Sequence, residues 1–519
     1  MIAAPIPTRS SSPTTFRDIQ FAASFDTRLS ASVGSDTLCL DAFAFTRLRR
    51  ANAMSAGGIM PRTGCASYQR TVSRRAFLNA SFGGLALPAI FHARANAAAG
   101  QAASGTAVIQ YWLNGAASHF ETYDPKPDAP AEIRGPFQPI STNVPGIQIC
   151  ETLPRQSRII DKVTIIRSVH HDNNDHQHGM HWCQTGHDAK ANGVNPFQSS
   201  SHPSSGSLVA MLRGPNHPSL PPYVLIGYPL DDQGIHRLYP HRAASLGVGY
   251  NPLEILDKRS GDGKDPGQDN DFRVQCLAPL AGLTRTNLLD RRRLLTELDQ
   301  IHGQSAARAT GAWNHFHQAA FDLVTGAGTG AAFDLDQEDA KTRARYGLNR
   351  SGQTALLARR LVEAGVTFVT VIDPGVGLSS SGWDLHTKLE WGMQTACPRM
   401  DQAVTTLIED LHERGMNRNV LVVVWGEFGR TPKINANAGR DHWGDVQSVM
   451  LAGGLYRHGQ VIGSSNAKGE VPKDRPLWPY DVVATMYDHL GIDPHQTPLT
   501  PAGRAVPLLA KGEVIRELL

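Results

Sequence analysis

Cysteine is scarce and scattered: Cys39, Cys65, Cys150, Cys183, Cys276 and Cys397 are the six in 519 residues. No two stand in a C-x-x-C spacing, which argues against a zinc–thiolate site. A disulfide is open to the last four in an oxidising compartment, but their spacing does not give its pairing. Charge of one sign is also lacking. Fifty Lys and Arg face 47 Asp and Glu, for a net charge of +3. Without a basic stripe or an acidic tail, nucleic acid is not an expected partner. No apolar run reaches the ~20 residues that a membrane span needs, so no stable span is expected in the mature chain. What remains is ample for a large core, with 41% hydrophobic residues, and rich in loops, with 49 Gly and 33 Pro. The length suits one large α/β domain with insertions on a rigid sheet.

The N-terminus reads as a targeting segment. Residues 1–72 are polar, rich in small residues and without periodicity. They read as a disordered extension, or as a start placed too early, with Met54 or Met60 as the initiator. Residues 73–98 then show the order of a signal peptide. Ser73-Arg74-Arg75-Ala76-Phe77-Leu78 leads into the apolar run Ala80 to Ile90 and the small-residue stretch Ala93 to Ala97. Paired arginines before Phe-Leu fit the twin-arginine type, so the mature protein is expected in the periplasm or cell envelope. One domain is expected over 104–515, with an insertion around 190–285.

Along that domain, apolar runs alternate with long connections and helical stripes, as in a doubly wound, mostly parallel sheet. Strands are expected at Ala107–Leu113, Val163–Val169, Tyr223–Ile226, Val366–Asp373, Val420–Val424 and Ser448–Ala452. Helices are expected at 151–161, 286–323, 336–364, 388–414 and 481–490, the last with Asp481 as N-cap. In such sheets ligands bind just past the carboxyl ends of the strands, and four strand tips carry polar clusters. The first holds Asn114, Ser118, His119 and Glu121, with Asp124 read as a turn-forming structural residue. The second packs His170, His171, His176, His178, His181 and His187 into one short stretch, of which one or two are expected as ligands, His176 first. The third is Asp384-Leu385-His386, whose ligand side chains share one side if the segment is extended. The fourth begins with Glu427 at the tip of the central strand. It continues through Arg430, Asn435 and Asn437 to Asp441 and His442. Oxygen and imidazole ligands on separate strand tips point to one composite divalent-metal site.

Several of these motifs resemble those of the domain-of-unknown-function 1501 family, exported bacterial proteins related to sulfatases within the alkaline phosphatase superfamily. They are Trp112-Leu-Asn-Gly through Thr122-Tyr-Asp-Pro-Lys-Pro127, Arg167-Ser-Val-His-His171, Trp383-Asp-Leu-His386, Trp425-Gly-Glu-Phe-Gly-Arg-Thr-Pro432 and Gly439-Arg-Asp-His-Trp443. The resemblance implies a sulfatase-like fold with one or two divalent ions (Zn, Ca, Mg or Mn) at the strand tips. Asn114, Glu121, His176, Asp384, His386, Glu427, Asp441 and His442 are the ligand candidates. It also implies a nucleophile some ten residues before a Thr-Gly. Counting back from Thr185-Gly186 reaches His176, so the hydroxyl or thiol of the covalent route is replaced by an imidazole.

Three readings follow. The first is a hydrolase of sulfate or phosphate esters, acting on a small anionic ester or a sulfated or phosphorylated glycan. It would use metal-activated water, His176 as ligand or general base, and Arg430 as a bidentate anion holder. The second is a degenerate relative that binds without turnover. The third is a metal-stabilised structural protein of the envelope.

Overall fold

The computed structural model describes residues 105–189, 200, 202–227, 239–256, 284–301, 321, 329–373, 375–376 and 382–519, all within the compact unit Arg74–Leu519. The N-terminal extension, the signal segment, Cys276 and much of the expected insertion lie outside the described residues.

The apolar runs form one eight-stranded sheet. Its strands are β1 (Ala107–Leu113), β2 (Val163–Val169), β3 (Tyr223–Gly227), β4 (Leu253–Leu256), β5 (Phe368–Asp373), β6 (Val420–Trp425), β7 (Gln447–Gly453) and β8 (Gln460–Ile462). Across the sheet they run β8-β2-β7-β6-β1-β5-β3-β4. Only β7 opposes its neighbours, β2 and β6; the other pairings are parallel. The doubly wound, mostly parallel architecture is therefore as the strand–helix alternation predicts. Every residue of β1, β5 and β6 is buried, as a strand covered on both faces requires.

Two apolar layers flank the sheet. On one face, helices α3 (Arg350–Ala364) and α4 (Leu389–Glu413) bury Leu356, Leu361, Met393 and Leu407 against Ile109, Tyr111 and Val422. On the other, α1 (His176–Thr185), α2 (Ser205–Leu212) and α5 (Pro479–His489) bury Met180, Leu208 and Val483 against Trp112, Val423 and Leu451.

Several local expectations are corrected. The helix expected at 151–161 is two short 3₁₀ turns, Gln156–Arg158 and Ile160–Lys162. Pro154 has no N–H to give, and the Asp401 carboxylate takes Arg155 N and Gln156 N, both at 2.8 Å. The 336–364 stripe breaks at Gly347, whose φ is +106°, into Ala340–Tyr346 and α3. Between 286 and 323 the described helix covers Arg285–Ile301. Helix α5 begins at Pro479, so Asp481 sits in its first turn and accepts from Trp478 N at 2.9 Å. Strands β4 and β8 were not expected. Both are short, of four and three residues, and lie at the two edges of the sheet.

Candidate metal centre

Helix α1 starts where Asp175 caps it, accepting Gln177 N at 3.0 Å and His178 N at 3.2 Å. That cap places His176 in the first turn, pointing at the tip of β6. Gly179 allows the approach: a Cβ there would meet Glu427 O at 2.8 Å and Phe428 Cδ1 at 2.9 Å.

Asp384 is the hub. One of its oxygens lies 3.0 Å from His386 Nε2 and 3.1 Å from His442 Nε2; the other lies 3.2 Å from His176 Nε2. His176, Asp384 and His442 offer ligand atoms all within 4.8 Å of one another. His386 and His442 face each other, Nε2 to Nε2, at 2.9 Å. Asp384 and His386 converge by a different backbone path from the extended one expected. Leu385 N bonds Trp383 O and His386 N bonds Asp384 O, so the chain turns twice in four residues.

The far nitrogen of each ring is held by an acceptor. His176 Nδ1 is 2.7 Å from Glu427 Oε1, His386 Nδ1 is 2.6 Å from Asp441 Oδ1, and His442 Nδ1 is 2.8 Å from Asn174 O. A carbonyl only accepts, so His442 carries its proton on Nδ1, and the carboxylate at Asp441 dictates the same for His386. In neutral rings, both Nε2 atoms are then lone pairs aimed at each other and at a carboxylate oxygen. Such a set of acceptors calls for a cation at its centre. A hydrogen bond on the distal nitrogen is also the usual companion of a metal-ligating histidine. Behind His176, Glu427 Oε2 is a fully buried carboxylate oxygen with no hydrogen-bond partner. The residues present fit a divalent ion.

Electrostatics agree. Burial disfavours charge on His176, but hydrogen bonds to Asp384 and Glu427 outweigh it and push its pKa up to about 9. Burial opposes charge on Asp384 too. Hydrogen bonds from His176 and His442, with the Arg430 guanidinium, hold it well below the usual carboxylate range. Without an ion, His176 is thus an imidazolium between two carboxylates. Phe428 forms an apolar wall, with its ring centroid 5.0 Å from that of His176 and 4.7 Å from that of His442.

Not every candidate joins the centre. Glu121 is 1% exposed and paired to the fully buried Arg440 at 2.7 Å, a structural pair rather than a ligand. Asn114 Oδ1 accepts Trp112 Nε1 at 3.3 Å. Glu427 and Asp441 touch the outer nitrogens of His176 and His386, so each orients a ring. Arg430 differs most from expectation. Its guanidinium is 1% exposed and bonds Asp384 Oδ1 at 2.6 Å, Ala116 O at 2.9 Å, Arg440 O at 3.2 Å and Gly115 O. It locks three loops together and has no donor pair left for a substrate anion. Of the six clustered histidines only His176 reaches Asp384. His171 bonds Glu427 O at 2.6 Å, His178 bonds Asp175, His181 bonds His187 O, His187 bonds Leu508 O, and His170 packs on Trp478. Asp124 is structural as read, bonded to Lys126 at 2.9 Å. Sequence reasoning missed Asn174, which acts through its backbone carbonyl and so leaves no residue-type signal.

A family model described as "Protein of unknown function (DUF1501)" matches residues 105–519, which takes in every residue of the centre. The chain belongs to the DUF1501 family. No curated protein matches it. Among solved structures, it is similar to the PsFucS1 sulfatase from Pseudoalteromonas sp., at 12% identity over 77% of this chain and 72% of that one, with a TM-score of 0.32. It is also similar to a phosphonate monoester hydrolase from Silicibacter pomeroyi, at 13% identity over 74% and 73%, TM-score 0.33. A protein in the alkaline phosphatase superfamily from Vibrio parahaemolyticus gives 8% identity over 75% and 67%, TM-score 0.34. In this DUF1501 chain no helix among the described residues is long and apolar enough to cross a membrane.

Proposed function

We propose that this DUF1501 protein is an exported, metal-dependent hydrolase of sulfate or phosphate esters. The reading rests on one observation: the Nε2 atoms of His176, His386 and His442 converge on the Asp384 carboxylate while their Nδ1 atoms are held from outside. Asp384, His386 and His442 would hold the ion, with His176 as a fourth ligand or as the base beside it. A divalent ion bound there would supply Lewis acidity and activate water at neutral pH.

The chain's own residues do the rest. Glu427 fixes His176 with Nε2 toward the centre and stabilises its protonated form, so His176 can take up a proton there and return it to a leaving oxygen. Asp441 and the Asn174 carbonyl keep His386 and His442 in one tautomer. Phe428 limits water on one side. His176 at the head of α1 leaves no hydroxyl or thiol at that position, which supports a route without a covalent intermediate.

A second reading, ligand binding without turnover, is favoured by the burial of Arg430, which removes the anion clamp expected of it. The test is metal content of the purified mature protein together with turnover on a panel of sulfate and phosphate esters. A metal-loaded protein that hydrolyses none of them leaves the binding reading in place.

A further inference from the structure

We infer that Asp373 is a positioning residue for this centre, holding through Trp383 the turn that presents Asp384 and His386. The inference rests on the proposed metal site. Asp373 ends β5 and is 1% exposed. Its Oδ1 accepts Trp383 Nε1 and Gly375 N, each at 2.9 Å. Its Oδ2 accepts the Tyr111 hydroxyl from the neighbouring strand β1. No cation pairs with Asp373 among the described residues, so three neutral donors carry the whole solvation of this buried side chain.

The geometry makes Asp373 a bolt across a neck. Gly375 has φ +57°, and a Cβ there would meet Gly382 C at 2.4 Å. The chain leaving β5 and the chain returning to the centre therefore touch backbone to backbone. Val376 N bonds Gly382 O at 3.0 Å on the same neck. Asp373 grips one side through Gly375 N and the other through the Trp383 indole. Trp383 is gripped again through its backbone, whose N–H donates to Asn114 O at 3.1 Å. The indole is 1% exposed. The next residue is Asp384, and His386 follows two residues on, with no freedom between them except the two tight turns already described. Strand β1 and its tip thus fix the third strand-tip cluster twice, through Tyr111 on Asp373 and through Asn114, the residue after the strand, on Trp383. Asp373 touches no reacting group and acts only through Trp383.

The chemistry predicts which substitutions matter. Asp373→Leu removes all three contacts. Asp373→Asn keeps an oxygen for the two N–H donors and turns an NH₂ toward the Tyr111 oxygen, which can accept, so it is the conservative rescue. Trp383→Phe removes one N–H and leaves the ring.

The experiment measures Zn²⁺ affinity by chelator competition, and hydrogen exchange of peptides spanning 382–388, in wild type and all three variants. Asp373→Leu and Trp383→Phe should each weaken Zn²⁺ binding by ~10–100-fold, the range for residues that orient metal ligands. Both should lose protection in 382–388 while α3 and α4 keep theirs, and Asp373→Asn should restore both readouts to within a few-fold of wild type. If Asp373→Leu does not fold, Trp383→Phe and Asp373→Asn decide alone. Wild-type affinity and protection in Trp383→Phe would overturn the inference. If the wild type binds no Zn²⁺, the metal reading fails, and exchange in 382–388 still tells whether Asp373 holds this turn.

Discussion

His386 Nε2 stands 2.9 Å from His442 Nε2, and neither ring can relieve the contact by changing tautomer. Asp441 holds one ring from behind and the Asn174 carbonyl holds the other. The two lone pairs share Asp384 as a third acceptor, so the arrangement is stable only with positive charge between them. Arg430 supplies part of that charge from below, and His176 supplies more when protonated. A divalent ion would supply the rest.

Substitutions at the ion and behind it should separate cleanly. Asp384→Ala and His442→Ala should abolish stoichiometric metal in elemental analysis. Glu427→Gln and Asp441→Asn should retain metal with affinity lower by ~10–100-fold, as expected of groups that orient ligands. Equal loss in all four would make Glu427 and Asp441 ligands, as the sequence suggested, and would require the centre to rearrange around the ion.

Protonation gives an opposite signature with and without metal. Below about pH 6.5, the ordinary histidine value, His176 is charged whether folded or not, and its ion pairs stabilise the metal-free fold in full. That contribution fades as pH rises and is lost through about 9. Asp384 works in reverse. Its contribution is present above the ordinary carboxylate value of about 3.9 and is lost as pH falls through its lowered folded value. The His176 and Asp384 contributions are therefore both complete between about pH 4 and 6.5, and His176→Gln should flatten the alkaline limb of the melting temperature of metal-free protein against pH. If His176 is a ligand, Zn²⁺ must displace its proton, so affinity should strengthen as pH rises toward 9. A pH-independent affinity would remove His176 from the ligand set.

The sheet was legible because Val420–Val424 and its counterparts are apolar on both faces, a pattern that suits a buried strand. The site was legible by position alone. Strand tips group His176, Asp384, His386 and His442 in the sequence, but the same rule also gathers Asn114, Glu121, Glu427 and Asp441, which do not point a ligand atom at Asp384. Roles were less legible. Glu121 and Arg430 are the residue types of a ligand and an anion clamp, but their partners, Arg440 and Asp384, come from loops far away in sequence. Nothing local to Glu121 announces Arg440, 319 residues on. The Asn174 contribution is a backbone carbonyl, which any residue could provide.

The Glu121–Arg440 pair is fully desolvated, and Arg440 adds Phe120 beneath its guanidinium at 4.2 Å and Ile133 O at 2.8 Å. Removing one partner strands the other charge in the interior. Glu121→Ala should therefore destabilise by ~3–5 kcal/mol, the usual cost of breaking a buried pair, measured by urea unfolding. Metal stoichiometry in the fraction that folds should be unchanged. Loss of metal without loss of stability would return Glu121 to the ligand set.

Export is tested outside the folded domain. Changing Arg74 and Arg75 to lysine should leave full-length precursor in the cytoplasm if the paired arginines direct twin-arginine transport. Fractionation followed by mass spectrometry of the mature N-terminus reads both the route and the cleavage point, expected near Ala97. Normal periplasmic accumulation of the double variant would refute that route.

The chemistry itself turns on His176. As a ligand, its replacement by alanine should remove metal. As the base beside the ion, the same variant should keep metal and lose ~10²–10⁴ in rate, the range for general base catalysis. Glu427→Gln separates the two further, because it leaves the imidazole in place and removes only the charge that stabilises its protonated form. A base then loses rate most steeply on the side of the pH profile where proton transfer limits, whereas a ligand shows a change in metal affinity with a parallel profile. In the first strand-tip loop Thr122 Oγ1 donates to Ser118 O at 2.7 Å, whereas Ser118 is buried with its Oγ unpartnered, so Ser118 is the candidate there for a covalent ester. Ser118→Ala should leave turnover within a few-fold of wild type if His176 and activated water do the work. Loss of activity in Ser118→Ala with metal retained, and a mass increase on Ser118 trapped during turnover, would instead make the mechanism covalent and reduce His176 to a supporting role.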